Sequence, residues 1–468
     1  MKSTFIAIAA SLALGACAVQ PASHSKLPDD VAKIAPAAYS VDVPQDPVDA
    51  DAWWQQFGDP VMHDLVASVL NQNLDIKAAV ERVKQAEAQT TISRAALLPE
   101  LNAGATASDR RQNAPPPLGY VRQAGVGLTA SWNPDVFGGE RLALLASQAQ
   151  LTGTQESLNQ LRLALAANTA DAYIDLRWAQ TEQRILQDNV HIRERALRLT
   201  QERLQFGLST NLDVARAQNQ LSDLQARIPG VQSTIQHQLS LIAVYSGQTP
   251  ESLNAPVFGT GAIPVPSASA PNTLPSQALL RRPDVLNAYA GVEQRAAEVG
   301  EAKAEWYPKF SLNLTDGLLA ASYLGMPTLT DNLFSAALGV TSPIFNAGRI
   351  NADIAKSQSH MRESELNLNQ TILNALKEIE DTRSDLVSSA SEVEHLSAAL
   401  DSSGKALRLS TELYKGGTTS FLDVLDAQQS YLVDDDSLNQ ARRARALAAV
   451  ALYRALGGGW RVAANDPG

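Results

Sequence analysis

Two very long stretches of the chain, 154–206 and 350–403, contain neither glycine nor proline. In the first, Leu158, Leu161, Leu165, Thr169, Ala172, Leu176, Ala179, Gln183, Leu186, Val190, Arg193, Leu197, Thr200 and Leu204 recur at intervals of three to four. That spacing predicts a helix with a coiled-coil seam rich in small residues. At ~1.5 Å per residue the helix spans roughly 80 Å, too long for a compact globule of this size. Each stretch runs into a glycine-containing turn, Gly207-Leu208-Ser209-Thr210 or Gly416-Gly417-Thr418-Thr419. A second helix is expected to return after each turn, broken at Pro229 in the first half.

The period changes to two ahead of each long helix. Residues 101–108 alternate Leu and Ala against Asn, Gly, Thr and Ser, and residues 124–132 set Val126, Leu128, Ala130 and Trp132 against Gly125, Gly127, Thr129 and Ser131. The second half repeats this with Phe310, Leu312 and Leu314 against Ser311, Asn313 and Thr315, then Phe334, Ala336, Leu338 and Val340 against Ser335, Ala337, Gly339 and Thr341. Four strands are predicted, each apolar on one face and small and polar on the other. Loops are expected over 109–122, with Pro115, Pro116 and Pro117, and over 316–332, with Pro327. Asp59-Pro60 opens a further helix, Asp as cap and Pro at the first position, that should run to Leu97 before Pro99 stops it.

The two halves are copies of one plan. Ala196-Leu197-Arg198-Leu199 recurs as Ala406-Leu407-Arg408-Leu409, and the same offset of 210 carries Gly207 to Gly417, Leu212-Asp213-Val214 to Leu422-Asp423-Val424, and Ala217-Gln218 to Ala427-Gln428. Leu98-Pro99-Glu100-Leu101 matches Tyr307-Pro308-Lys309-Phe310 at 209, while Phe137 and Arg141 match Phe345 and Arg349 at 208. The expected organisation is a signal peptide over 1–16, a tether over 17–50, repeat 1 over 51–255, a Pro/Ser/Ala-rich connector over 256–275, repeat 2 over 276–457 and a tail over 458–468.

Composition changes the picture at the N-terminus. Lys2 precedes an apolar run, 5–14, that is too short to span a bilayer, and Leu14-Gly15-Ala16-Cys17 resembles a bacterial lipobox. Cys17 would become the lipidated first residue. It is the only cysteine among 468 residues, so no intrachain disulfide can form. Ala18, rather than Asp, follows it, which by the behaviour of bacterial lipoproteins implies the outer membrane. A balance of 38 basic against 49 acidic residues, net −11 and without a basic block, excludes nucleic acid as the expected partner. Four strands cannot close a barrel alone, and their edges could not stay unpaired in lipid, so chains must associate.

Over nearly its whole mature length the sequence resembles the TolC-like outer-membrane factor family, in its lipoprotein branch. The resemblance rests on Trp53-Trp54-Gln55-Gln56-Phe57-Gly58-Asp59-Pro60, the Leu98-Pro99 and Tyr307-Pro308 strand entries, and Phe345-Asn346-Ala347-Gly348-Arg349. Tyr414-Lys415-Gly416-Gly417 and the run from Leu422-Asp423-Val424-Leu425-Asp426 to Ala427-Gln428 complete it. It implies an α+β membrane protein and a homotrimer. Four strands per protomer would form a twelve-stranded outer-membrane β-barrel, continued by a long α-helical periplasmic barrel. It also implies a tripartite efflux assembly with a periplasmic adaptor and an inner-membrane pump of the resistance-nodulation-division class, with no cofactor. The positions matching its adaptor-docking tips are Gly207, Leu208, Ser209, Gly417, Thr418 and Thr419. Those matching its closed aperture are Leu422 and Asp426, four apart and therefore on one helix face. Gln429 stands where that branch often carries Arg, and Arg216, the first-repeat counterpart of Asp426, is the candidate partner instead.

Other chemistry is sparse. The six histidines are scattered without ligand spacing, Trp53 and Trp54 are expected to pin the N-terminal segment, and Asp434-Asp435-Asp436 reads as a solvated helix face. The competing readings are a lipid-anchored coiled-coil scaffold or adhesin and a periplasmic enzyme. A scaffold needs the seam but not four amphipathic strands, and an enzyme needs a convergent polar site.

Overall fold

The structure, a computed structural model, describes residues 18–43, 45–46, 52–112, 119–252, 259, 261–265, 270–271, 273–323 and 328–458. Cys17, the leader, Pro115–Pro117, Pro327 and the tail beyond 458 lie outside them. The elements in chain order are α1 (Leu27–Ile34), β1 (Gln45–Asp46), α2 (Pro60–Gln72), α3 (Leu74–Ala95), β2 (Glu100–Gln112), β3 (Gly119–Trp132), α4 (Gly139–Gln205) and α5 (Asn211–Tyr245). The second half continues with β4 (Ala270–Pro271), α6 (Pro275–Arg281), α7 (Pro283–Ala304), β5 (Lys309–Tyr323), β6 (Leu329–Thr341), α8 (Arg349–Lys415) and α9 (Phe421–Ala455). The described chain divides into two units, one from residues before 27, 81–155 and 287–370, the other from 27–80, 156–286 and 371 onward.

The first unit holds a four-stranded antiparallel sheet in the order β2-β3-β5-β6. Its register places Leu101, Ala103 and Ala105 beside Ala130, Leu128 and Val126, and these beside Leu314, Asp316 and Leu318. β6 adds Phe334, Ala336, Leu338 and Val340 to the same face. Asp316 and Asn332 interrupt that face and Asp109, Arg122, Ser322 and Thr330 lie on it toward the turns, but its middle is apolar, and Leu101, Val126, Leu128, Leu318, Phe334, Leu338 and Val340 are all exposed on it. On the opposite face Gly104, Gly127 and Gly317 stand side by side across three strands. A Cβ at Gly317 would sit 2.5 Å from the Val126 carbonyl oxygen, so only glycine permits this approach and the bend of the sheet it allows. The strands are longer than expected, because pairing continues through Asp109↔Arg122 and Ala321↔Leu329, and the loops shrink accordingly. β2 and β6 each pair on one side only.

The second unit is helical. The anticipated seam is buried at Leu158, Leu165, Thr169, Ala172, Leu176, Ala179, Leu186, Val190, Arg193, Leu197 and Thr200. Beside it the small residues Ala166, Ala167 and Ala170 share a buried cluster with Ala446, Ala449, Val450 and Tyr453 of α9. Both long helices have 67 residues, some 100 Å at ~1.5 Å per residue, and exceed the expected bounds at the first half's start and the second half's end. α4 begins before Gly153, where the absent side chain lets Asn287 and Ala290 approach. α8 continues through Gly404, which lies against the Tyr431 ring.

Two helix expectations are corrected. α5 is not broken at Pro229. Pro229 and Gly230 face solvent, where water can serve the carbonyl that proline leaves unpaired, while Leu221, Leu224, Ile235 and Leu239 keep the apolar stripe continuous. The helix expected from Pro60 to Leu97 is interrupted at Asn73, whose Oδ1 accepts from Asp75 N and Ile76 N at 2.8 and 3.1 Å while its Nδ2 donates to the Tyr245 carbonyl at 2.9 Å. A short side chain thus caps a new helix where spacing alone suggested none.

The stretch expected as a free tether is strapped down instead. Val19 N donates to the Phe137 carbonyl and Ala22 N to that of Ala296, each at 2.9 Å. Within the helical unit, α1 buries Leu27 and Val31, Arg383 donates twice to the Val41 carbonyl, and Ser40 Oγ donates to Glu380 at 2.6 Å. Trp53 and Trp54 do pin the following segment. Trp53 is fully buried and stacks on Tyr453 at 5.6 Å, while Asp59 caps α2 and accepts a 2.8 Å hydrogen bond from the Tyr173 hydroxyl. Asp434–Asp436 is half-buried rather than solvated: Arg227 lies 3.8 Å from Asp436, and burial raises the Asp435 carboxyl above its ordinary range.

Candidate functional site

The two helical turns are built by one backbone recipe. α4 ends at Gly207 in the left-handed region, φ 73°, with Gly207 N donating to the Leu204 carbonyl at 2.9 Å and Leu208 N to that of Arg203 at 2.8 Å. Gly417, φ 77°, repeats both bonds to Tyr414 and Leu413 at 3.0 Å. This is the double cap that glycine supplies at a helix C-terminus. Two capping boxes then start the return helices, Thr210 with Asp213 and Ser420 with Asp423. Burial pushes the Asp213 carboxyl up, but hydrogen bonds from Thr210 and Ser209 bring it below the usual range. Hydrogen bonds from Thr419 and Ser420 do the same for Asp423.

Side chains join the turns, and most of the joining groups lie outside the residues predicted from sequence. Arg203 Nη1 donates to the carbonyls of Tyr414 at 2.8 Å and Lys415 at 3.2 Å, closing the C-terminal end of α8, and its guanidinium lies 4.7 Å from the Tyr414 ring centre. The Tyr414 hydroxyl is 3.4 Å from Ser209 Oγ, and its ring packs on Phe421 at 5.4 Å. One layer further in, buried Arg193 donates through Nη1 to the Gln220 carbonyl and Oε1, both at 2.6 Å, and through Nη2 to Gln429 Oε1 at 3.2 Å. Gln429 therefore receives a hydrogen bond that bridges α5 and α9 through α4. At the offset of 210 Arg193 and Arg203 correspond to Ser403 and Leu413. Such an asymmetry between repeats was the available signal, because a long cation kept on one side only asks for a partner.

A cavity of about 540 Å³ lies beside this network, lined among others by Leu199, Leu407, Arg408, Tyr414, Phe421 and Tyr431. The predicted residues sit at the turns but are not all joined. Leu422 and Asp426 are exposed on α9, and Arg216 is exposed on α5, its charge helping to lower Asp213. Among the described residues no ion pair links Arg216 to Asp426 within one chain. Phe206, Leu208, Leu212, Leu413 and Leu422 are all more than half exposed around the turns. Among the described residues no group of three or more His, Cys, Asp or Glu could hold a metal, and no helix is long and apolar enough to cross a membrane.

Comparison with known proteins gives one direction. The family model described as outer membrane efflux protein matches residues 65–248 and 274–458, one match per repeat. The pyoverdine export outer membrane protein OpmQ of Pseudomonas aeruginosa is 30% identical over 467 residues, covering 97% of this chain and 96% of its own. The cation efflux system protein CusC of Escherichia coli K12 is 27% identical, over 87% of this chain and 88% of its own. Among solved structures, the outer-membrane channel OprN superimposes with a TM-score of 0.86 at 28% identity, covering 94% of this chain and 99% of that one. The outer membrane protein VceC of Vibrio cholerae gives 0.79 at 25%, over 88% of this chain and all of that one.

Proposed function

This chain belongs to the outer membrane efflux protein family, and we propose that three copies of it close into the exit duct of a tripartite efflux system. The observation that carries this reading is the sheet, whose apolar face is exposed and whose edge strands β2 and β6 each lack a neighbour. An unpaired backbone group in hydrocarbon costs several kcal/mol, so the edges must meet those of other copies. Four strands from each of three chains make a barrel with a largely apolar exterior and a lumen lined mainly by small and polar side chains. The helices of the two hairpins continue it as a periplasmic tunnel.

Passive conduction follows from such a duct, and an inner-membrane pump of the resistance-nodulation-division class would supply the energy. A periplasmic adaptor would dock at Gly207, Leu208, Ser209, Gly417, Thr418 and Thr419, where glycine turns allow close approach and apolar side chains stand exposed. Leu422 and Asp426 would form two threefold rings closing the aperture, with Arg216 as the cation beside Asp426 from a neighbouring copy. Three carboxylates around one axis would favour cations there. Cys17 would carry the lipid that holds the N-terminus at the outer membrane, after removal of 1–16. The relatives are named for cargoes of different chemistry, pyoverdine and cations, which supports a wide tunnel whose selectivity lies with the pump.

The test is the purified full-length protein in planar bilayers, with its mass measured in parallel. A trimer that conducts ions is expected. A monomer that conducts nothing would overturn the duct and favour a lipid-anchored scaffold.

A further inference from the structure

The duplicated plan supplies a template for a contact that no single chain can make. At the base of the sheet Phe137 stacks on Tyr307, with ring centres 4.8 Å apart and planes at 27°, and lies 6.4 Å from Phe310. By the repeat offsets the counterpart of Phe137 is Phe345, and those of Tyr307 and Phe310 are Leu98 and Leu101. All three counterparts are bare: Phe345 is 88% exposed, Leu98 64% and Leu101 68%. The strands involved are likewise related. β3 pairs with β5 inside the chain, whereas their counterparts β6 and β2 are the two free edges.

We propose, resting on the trimeric reading above, that β6 joins β2 of a neighbouring copy with Val340 opposite Ala103, and that Phe345 packs on Leu98 and Leu101 of that copy. This register transfers the observed Trp132↔Leu312 pairing through the offsets of 208 and 209. It sets Leu338 and Ala336 opposite Ala105 and Ala107, apolar against apolar, whereas a slip of one residue would turn that face inward. The two hairpins differ by two residues in register, Glu100↔Ser131 against Lys309↔Thr341, so Ala105 is the competing partner of Val340. Strand tilt decides between them. A path perpendicular to the strands runs Ala103, Leu128, Asp316, Phe334 and, across the seam, Asp109, a climb of six residues per copy. At ~3.3 Å per residue and ~4.8 Å per strand, that is about 20 Å of climb over about 19 Å of width, a tilt near 45°. The alternative climbs eight residues and tilts by about 54°, beyond the usual 35–45° of membrane barrels.

The experiment pairs Val340→Cys with Ala103→Cys, Ala105→Cys or Leu101→Cys in the full-length protein within outer-membrane vesicles. After oxidation the products are read on non-reducing gels against each single-cysteine variant. The Ala103 pair is expected to give covalent trimer as the dominant product. Dominance of either other pair, or an intact trimer that none of them links, overturns the register while the trimer stands. A monomeric mass in detergent with no link in any pair overturns the trimer as well. Phe345→Ala should lower the temperature at which the trimer dissociates and Phe345→Leu should restore most of it; equal trimers in all three would overturn the aromatic contact.

Discussion

The two repeats share a backbone and differ in what their side chains do with it. Gly207 and Gly417 make the same cap, and Thr210 and Ser420 start the same return helix. Yet Arg203 reaches across to the end of α8 while its counterpart Leu413 faces solvent, and Arg193 bridges two helices where its counterpart is Ser403. The difference extends along the long helices. Asp171, with Arg454, Asp175 and Arg443 around it, is half-buried, and its Oδ1, shielded from solvent, has no hydrogen-bond partner; at the same offset Asp381 is exposed and paired with Lys377. Duplication therefore supplied the geometry, and divergence of a few polar residues turned two equal hairpins into a tied pair.

Arg203→Ala should break this comparison most strongly. It removes two charge-assisted bonds to carbonyls and a cation–π contact, about 3 kcal/mol in all, and should loosen the turns. Limited proteolysis near Phe206 and Tyr414 should accelerate markedly, while Leu413→Ala should leave the rate nearly unchanged. Equal rates in the two variants would show that the tie does not hold the turns.

The second effect concerns Asp171. Burial first, with Asp175 adding to it, pushes its carboxyl up to about 6 despite Arg454 and Arg443. A carboxylate raised in the folded state costs stability above that value, and the cost disappears as the pH falls through 6 toward the unfolded value near 4. Asp171→Asn should therefore stabilise the protein by about 2 kcal/mol at pH 8, keep much of that gain at pH 5, and lose nearly all of it by about pH 3.5, as read by denaturant melts. Asp381→Asn, at the exposed counterpart, should give no such stabilisation at pH 8. A gain for Asp171→Asn that did not vary with pH would contradict the assignment.

The smallest effects should be the most alike. Thr210→Ala and Ser420→Ala each remove a helix cap worth about 1 kcal/mol, and hydrogen exchange at the first turns of α5 and α9 should rise equally. Both caps should weaken in acid. Asp213 and Asp423 are lowered, so their contribution is present above the ordinary carboxylate value and is lost as the pH falls below about 4 through the folded value. Unequal responses would mean that the shared recipe is not equally used.

What could be read from the sequence was what repeats at fixed spacing. The seam from Leu158 to Leu204, the four amphipathic strands and both glycine turns follow from periodicity and local chemistry alone. The break at Asn73 was invisible because its cap is completed by the Tyr245 carbonyl, 172 residues away in sequence. Continuity through Pro229 was missed because it depends on which side of α5 meets water. The docked segment before β1 was missed because Val41 and Ser40 find Arg383 and Glu380 more than three hundred positions away. At the turns, glycines and capping residues were readable, but the ties of Arg193 and Arg203 required knowing which helix ends lie side by side.

The proposed closure of the duct near the turns by Leu422 and Asp426 is tested most directly by single-channel conductance. In the reconstituted full-length trimer, Leu422→Ala combined with Asp426→Ala should raise conductance several-fold over the parent protein. An intact trimer whose conductance is unchanged by the double substitution would contradict it.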